Sequence, residues 1–483
     1  MAEDMTPKSK KSNRNMNWKS NLTQFNTILK TWIKKREGQL LILIILIGFS
    51  LRFLWFLRTL YLGLPLDQDG QEYMDIGENL LKGFYPWPRE PFFPLIVAFT
   101  FLLFNPSALV LRLLTLFLSI VVIYLSYSLA RVCFKGSWEC LLPPFLVATN
   151  FYLIFNSVRG LREELYSILI LLILILTIKC VNSEPRMYDY MSIGLSSAII
   201  CLIRFEGFII LILLIVFFVW HDRTIAKKID YRPIIVILTS SALAIVGWII
   251  LSQILFKNPF PMSEIYGSWL YQYEFARLRF QEWPPKFYWI RMSFFEYLFE
   301  HHSLSRLIQM MFFGFVSSFK MISNFITPVN PLLIPFGLAL LLLGLLFSLK
   351  NEMFIPLHFT LIGGLLPYLL LFYLEVDFRF IYPFLPLIFL LIGYVVLYLK
   401  ENTTSKAHTF RIFPNRRISV TIYTLSFLSV VLMILSQIMK FISIFVMWDL
   451  IATSAYMMTR AIFAIYIFII TLITLCLYYR WKE

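Results

Sequence analysis

The chain has 483 residues, of which 59% are hydrophobic and 15% charged, whereas a soluble domain carries about 25% charged residues. Its formal charge of +15 is spread over short segments between apolar runs. Such charge reports membrane orientation and excludes a nucleic-acid-binding function. The apolar runs approach the roughly 20 residues of a membrane span and show no two-residue alternation, so the sequence predicts an all-α polytopic membrane protein in a lipid bilayer.

Residues 1–38 form a polar, basic tail that we expect in the cytoplasm. The first spanning helix, predicted over 40–57, follows this tail as an uncleaved anchor and leads to an external loop, 58–106. This loop is acidic, and its apolar stretch 92–104 is too short to span at about 1.5 Å per residue. The stretch therefore predicts a helix that lies in the membrane interface.

Further predicted helices complete a seven-helix module over residues 39–256: 108–132, 141–157, 165–181, two short helices within 190–220, and 234–256. A second external loop, 257–329, contains an amphipathic stretch at 304–324. Residues 330–483 predict five more helices, the last at 456–478. The basic loops then fall on one side, which predicts about 12 spans with both termini cytoplasmic.

Asp67 and Asp69 stand in the first external loop. One carboxylate of such a pair can act as general base toward an acceptor hydroxyl, or both can hold a divalent cation beside a phosphate. The structural alternative makes Asp69 the N-cap of a helix over 70–82 and leaves Asp67 solvated. The five cysteines form no CxxC pair, so no structural zinc is expected, and a divalent cation at the two aspartates is left open as a cofactor.

Other charged residues fall on the outer side under this topology, and arginine is well suited to phosphate because it donates paired hydrogen bonds. An acid with several arginines at a lipid boundary suits a substrate with a phosphate head and a lipid tail. Structural alternatives are a snorkelling pair at 89–90 and a buried ion pair of Arg204 with Glu206 or with the 159–164 turn. The candidate donor-binding residues are Arg89, Glu90, Arg159, Arg162, Glu163, Arg204, Glu206, Arg379 and Tyr382.

Six segments stand in a fixed order along the chain: Asp69-x-x-x-Tyr73, Ile76-Gly-Glu-Asn-Leu-Leu-Lys-Gly83, Arg89-Glu-Pro-Phe-Phe-Pro94, Ser157-Val-Arg-Gly-Leu-Arg-Glu-Glu-Leu-Tyr166, Cys201-Leu-Ile-Arg-Phe-Glu-Gly207 and Arg379-Phe-Ile-Tyr-Pro383. Together they resemble the GT-C superfamily of polyprenyl-phosphate-sugar glycosyltransferases, which includes protein O-mannosyltransferases and aminoarabinose transferases. The resemblance covers residues 40–256 well, which implies that the seven-helix module 39–256 is catalytic, and the C-terminal third loosely.

This resemblance implies an inverting transfer from a polyprenyl-phosphate sugar to an acceptor, on the non-cytoplasmic face, with Asp69 as catalytic base. The candidates to stabilise the leaving lipid phosphate are Arg159, Arg162, Arg204 and Arg379. Glu163 or Glu90 would position the sugar or the arginines. The family often has Asp-Glu where this chain has Asp69-Gly70, so Asp67 competes for the role of base. A transporter or flippase of lipid-linked saccharides and a non-catalytic scaffold are the rival hypotheses.

Overall fold

A computed structural model describes residues 36–84, 89–183, 185–226, 230–256, 270, 271, 274, 293–326, 334–349, 351–369, 378–404 and 416–447. Across these ranges the chain is helical, with no strand, which confirms the all-α prediction. The α-helices are, in chain order, α1 Arg36–Tyr61, α2 Gln68–Leu81, α3 Phe92–Phe104, α4 Ala108–Cys133, α5 Leu142–Thr149, α6 Phe151–Asn156, α7 Glu163–Asn182, α8 Met187–Ile203, α9 Gly207–His221, α10 Tyr231–Phe256, α11 Phe294–Phe299, α12 Leu304–Ile326, α13 Ile334–Ser348, α14 Ile355–Leu365, α15 Leu385–Thr404 and α16 Arg416–Met447.

Within the described ranges, six helices are long and apolar enough to cross a membrane. They become seven if Gly337–Ser348 and Glu352–Tyr368, which meet at a bend of 118°, form one broken span. The protein is therefore a multi-pass membrane protein. The count of 12 spans stays a prediction, as does the division of the chain into modules, and the helix predicted at 456–478 lies outside the described residues.

The span around α15 forms the centre of the bundle and α10 its edge. Every residue in the apolar window of Arg379–Glu401 is buried inside the protein, against only 22% of the window of Tyr231–Ile254. Large apolar side chains such as Leu243 and Ile254 on α10 are accordingly exposed. In a bilayer such a face contacts lipid, because lipid rather than water is the solvent there.

The first loop folds as two helices packed against each other. Tyr73 on α2 meets Phe93 on α3 edge to face, with ring centroids 5.0 Å apart, and both side chains are buried. The predicted short helix at 92–104 is confirmed as α3. The start predicted for α2 is wrong by two residues: the N-cap is Asp67, whose side chain accepts a hydrogen bond from the backbone N–H of Asp69.

The helix predicted over 141–157 is also interrupted. It forms α5 and α6, which meet at Asn150. Asn150 caps α6 by accepting from the N–H of Leu153 at 3.1 Å, and its side-chain amide donates to the carbonyl of Phe325 at 3.0 Å. An asparagine inside an apolar run thus supplies both a helix start and a tertiary contact.

Gln437 on α16 completes the hydrogen bonds at this break. Its side-chain oxygen accepts from the N–H of Phe151 at 3.0 Å, and its amide donates to the carbonyl oxygens of Phe325 and Ile326, at 2.5 and 2.9 Å. Backbone groups freed inside a membrane protein need such partners, because hydrocarbon offers none. The break therefore joins α6 to the last turn of α12 and to α16.

The two short helices predicted within 190–220 are confirmed as α8 and α9, which are joined by Arg204, Phe205 and Glu206. The amphipathic stretch predicted at 304–324 is helical as α12. Its position on the membrane surface stays a prediction, like that of α3.

Candidate functional site

The acids of the first loop lie at the start of α2, where the free N–H groups and the helix dipole favour negative charge. Asp67 accepts from the N–H of Asp69 at 3.2 Å through Oδ1. The side chains of Asp67 and Asp69 are 19% and 17% exposed. Both carboxylates are therefore largely withdrawn from solvent, so the structural alternative that leaves Asp67 solvated does not hold.

Three arginines from separate segments surround these two carboxylates. Arg89 donates from Nη2 to Asp69 at 3.0 Å. Arg379 bridges both acids, with Nη2 2.5 Å from Asp69 and Nη1 3.5 Å from Asp67. Arg159 donates to the other oxygen of Asp67. We call Asp67, Asp69, Arg89, Arg159 and Arg379 the carboxylate–arginine cluster.

The charges of the cluster set the protonation of Asp69. Burial alone raises the pKa of this carboxyl, but the neighbouring charges of Arg379, Arg89 and Arg162 outweigh burial and lower the pKa to about 2. Asp69 is therefore ionised at neutral pH. Because its charge is shared with two bonded arginines, it is a weak base in this arrangement.

A buried ring and a further acid support the same arginines. Arg89 also donates to Glu72, and its guanidinium lies 5.6 Å from the centre of the Tyr73 ring. Arg162 lies over the same ring at 5.8 Å. Burial raises the pKa of Tyr73 to about 12, so this phenol stays protonated and serves as a neutral platform between two cations.

Arg162 ties the first loop to α8. Its Nη1 donates to Glu90 and, at 2.8 Å, to the carbonyl of Ile203, the last residue of α8. Arg89 and Glu90 thus bind different partners and do not form the snorkelling pair considered as an alternative. Glu163, the next residue, has a different partner, because it turns to Arg204.

Arg204 forms the buried ion pairs that the apolar sequence around it suggested. Its side chain is 3% exposed, with Glu163 at 3.5 Å and Glu206 at 3.4 Å. The rings of Phe380 and Tyr368 lie 4.7 and 5.3 Å from its guanidinium carbon. Both structural alternatives hold together: Arg204 pairs with its neighbour Glu206 and with the 159–164 turn. Its geometry favours a supporting role beside the cluster.

Tyr382 packs among aromatic side chains. Its ring meets Phe325 edge to face, with centroids 5.2 Å apart, and borders a small pocket that Arg52, Glu163 and Glu164 also line. Tyr382 follows Arg379 by one turn of the same short 3₁₀ helix, Phe378–Phe384. It therefore anchors the segment that delivers Arg379.

The aspartates do not fit a divalent cation in this arrangement. Among the residues that the structure describes, no group of three or more His, Cys, Asp or Glu side chains could hold a metal ion. Asp67 and Asp69 supply two oxygen ligands of the right kind, but Arg379 bridges them. A cation could bind both carboxylates only after this guanidinium had moved away.

Sequence reasoning missed three residues of this region: Glu72, Arg52 and Arg112. Arg112 is 4% exposed on α4 and donates to the carbonyls of Leu64 and Val158, at 2.7 Å each. The signal was available, because Arg112 stands inside an apolar run just as Arg204 does.

One protein family matches part of the chain. The profile of the family described as dolichyl-phosphate-mannose-protein mannosyltransferase matches residues 87–248. The match includes Arg89, Arg159 and Arg204, and it leaves out the two aspartates and Arg379. No curated protein matches the chain.

The fold is similar to that of solved membrane glycosyltransferases. The apo oligosaccharyltransferase of Archaeoglobus fulgidus is 15% identical, with 84% of this chain and 56% of that chain covered and a TM-score of 0.52. Its complex with Zn and sulfate gives 15% identity, coverages of 82% and 53%, and a TM-score of 0.51. ArnT from Cupriavidus metallidurans bound to undecaprenyl phosphate is 11% identical over 79% of each chain, with a TM-score of 0.37.

The chain spans about half the length of the oligosaccharyltransferase. The fold of this chain is similar to that of the oligosaccharyltransferase, and its residues 87–248 match the mannosyltransferase family.

Proposed function

We propose that this protein transfers a sugar from a polyprenyl-phosphate donor to an acceptor on the non-cytoplasmic face, with both termini cytoplasmic. The observation that carries the proposal is the carboxylate–arginine cluster, in which two acids and three arginines from separate segments converge. A donor of this class needs a base for the acceptor and cations for the phosphate. The family match, whose name specifies a dolichyl-phosphate sugar and a protein acceptor, supports the donor class.

The formal charges of the cluster and of its neighbour Glu72 cancel before substrate binds. Asp67, Asp69 and Glu72 carry three negative charges, which face the three positive charges of Arg89, Arg159 and Arg379. An incoming phosphate competes with these carboxylates for the guanidinium groups. Arg379 is placed best for this exchange because it bridges the two aspartates.

This exchange makes Asp69 a stronger base when the donor is bound. Once the donor phosphate draws Arg379 away, Asp69 keeps its burial but loses a neighbouring positive charge, so its pKa rises. Its carboxylate then takes the proton from the acceptor hydroxyl, whose oxygen attacks the anomeric carbon. The bond from that carbon to the phosphate oxygen breaks with inversion, and the arginines stabilise the leaving lipid phosphate.

The remaining residues divide into direct and supporting roles. Arg89, Arg159 and Arg379 are the proposed phosphate ligands, since they lie in the cluster. Glu90 holds Arg162, and Glu163 with Glu206 holds Arg204, so these pairs position the surrounding turns. Asp67 is occupied by the cap of α2 and by Arg159, which supports Asp69 as the base.

The rival transport hypothesis uses arginines for the lipid phosphate but needs no acid next to them. A divalent cation, the open question on cofactors, would enter this mechanism only in place of Arg379. A structure of the protein with its substrates would identify the sugar, the polyprenol and the acceptor.

The test is Asp69→Asn, assayed in membranes with a labelled lipid-linked sugar, and Asp67→Asn is its matched control. Asparagine keeps the size of aspartate but has one acceptor oxygen and no charge, so it cannot act as the base. We expect Asp69→Asn to lose about 10²–10⁴-fold in transfer rate and Asp67→Asn to lose less. Undiminished transfer by Asp69→Asn would remove Asp69 as base, and movement of the labelled lipid across the membrane without transfer would favour the transport hypothesis.

A further inference from the structure

We infer that Arg112 is a positioning residue that aligns the first-loop acids with the turn carrying Arg159; the inference rests on the proposed function. Arg112 lies in the second turn of α4 and is almost completely buried. Among the residues that the structure describes, its hydrogen bonds go to backbone carbonyls and not to a candidate catalytic side chain. Its two terminal nitrogens instead hold backbone on either side of the cluster.

The two hydrogen bonds of Arg112 reach segments far apart in sequence. Nη2 donates to the carbonyl of Leu64, three residues before Asp67, and Nη1 donates to the carbonyl of Val158, directly before Arg159, each at 2.7 Å. Asp67 and Arg159 are themselves an ion pair. One guanidinium therefore fixes the backbone next to both partners of that pair.

The backbones held by Arg112 also pack without spare room. A Cβ added to Gly70 would lie 2.3 Å from the carbonyl oxygen of Arg159. Gly160 has φ +78°, a left-handed conformation that favours glycine, and a Cβ there would lie 3.0 Å from Leu111. The start of α2 thus sits directly on the 158–160 turn, and a small shift of either segment displaces Asp67, Asp69 or Arg159.

A guanidinium suits this task better than an ammonium. Arginine presents two terminal NH₂ groups in a fixed planar fork, so it can hold two carbonyls at a set separation. Lysine, in contrast, carries all its donors on one nitrogen atom. A cation within an apolar helix is costly unless it is paired or hydrogen-bonded. The two carbonyl bonds of Arg112 satisfy this requirement and at the same time set the geometry of the cluster.

The experiment compares Arg112→Lys with Arg52→Lys in the full chain, in lipid nanodiscs. Arg52 is a matched control, because it is a buried arginine on α1 that donates to the carbonyls of Val147 and Ala148 at 3.1 and 2.9 Å. Hydrogen exchange locates the loosened backbone, and steady-state transfer from a labelled polyprenyl-phosphate sugar gives kcat and donor KM. Arg112→Gln replaces the lysine variant if the latter does not fold.

We expect Arg112→Lys to raise exchange at residues 62–70 and 157–161 together, and Arg52→Lys to raise it near 147–151. Misplacement of reacting groups by a fraction of an ångström to 1 Å lowers kcat by up to about 10²-fold, with donor KM changed less than kcat. In an Arg159→Gln background the same substitution should add little further loss, because it acts through the Asp67–Arg159 pair.

Each outcome decides the inference. Unchanged exchange in both segments would overturn the backbone contact, and increased exchange with normal kcat would overturn the positioning role. A full multiplicative loss in the Arg159→Gln background would show that Arg112 acts by another route. If the wild-type protein transfers no sugar, the proposed function fails, while the exchange data still decide whether Arg112 holds the two segments.

Discussion

Replacing Arg379 by glutamine should move the acid limb of the pH–rate profile to higher pH. Arg379 lies 2.5 Å from Asp69 and contributes most to lowering the pKa of that carboxyl, ahead of Arg89 and Arg162. In the wild type these charges overcome burial and bring the pKa from 3.8 to about 2. Each pKa unit corresponds to about 1.4 kcal/mol of preference for the ionised form, so the net preference is about 2.5 kcal/mol.

The direction of the pKa shift follows from the surroundings that Asp69 keeps in the variant. The variant keeps the burial that raises the pKa of Asp69 and loses the largest opposing charge, so the pKa rises toward or above 3.8. The base must be ionised to accept a proton. Activity therefore falls as pH drops through the pKa, and it does so at a higher pH in Arg379→Gln than in the wild type.

The assay is kcat/KM for transfer from a labelled lipid-linked sugar across the acid range, because this ratio reports ionisations of the free enzyme. Arg159→Gln is the matched control: Arg159 pairs with Asp67, so its loss should reduce activity without moving the limb that belongs to Asp69. An unmoved limb in Arg379→Gln, or an equal shift in both variants, would refute Asp69 as the titrating base.

Three further results are expected. Gly70→Ala places a Cβ 2.3 Å from a backbone carbonyl oxygen and should lower stability by about 1–3 kcal/mol, whereas Gly247→Ala, which meets nothing within 4 Å, should not lower the thermal midpoint. Arg204→Met leaves Glu163 and Glu206 buried without their shared cation and should cost about 3–5 kcal/mol, partly regained when both acids become glutamine; a midpoint unaffected by Arg204→Met would contradict the pairing. Chelation by EDTA should leave transfer intact, since arginines supply the positive charge, and recovery of a lost activity by Mn²⁺ or Mg²⁺ would show that a cation replaces Arg379.

The helices of this protein could be predicted from the sequence because hydrophobic length and charge sign are local properties. The helix boundaries that were predicted wrongly depend on choices between similar local signals. Asp67 and Asp69 are equally good caps by type, and only the packing of α2 on the 158–160 turn selects Asp67. Asn150 could have been read as a cap inside the run 141–157, but its partners, Phe325 and Gln437, lie far away along the chain.

The sequence predicts which residues belong to the candidate site, but it does not predict which of them pair with each other. Charge placed on the outer side identified Arg89, Arg159 and Arg379, and the structure brings all three to the two aspartates. The division of partners, with Arg162 taking Glu90 and Arg204 taking Glu163, depends on tertiary packing. The departure from Asp-Glu at Gly70 also has a physical reason, because no side chain fits against the carbonyl of Arg159.

The hydrogen bonds of Gln437 make α16 a structural partner of the break at Asn150, far upstream in the chain. A chain truncated before Gln437 would leave the N–H of Phe151 without this acceptor and the carbonyl of Ile326 without this donor. Polar backbone left unsatisfied in a hydrocarbon environment is costly. A shortened version that ends at residue 248, where the family match ends, would lack both α12 and α16 and would therefore leave the break at Asn150 without its partners Phe325 and Gln437.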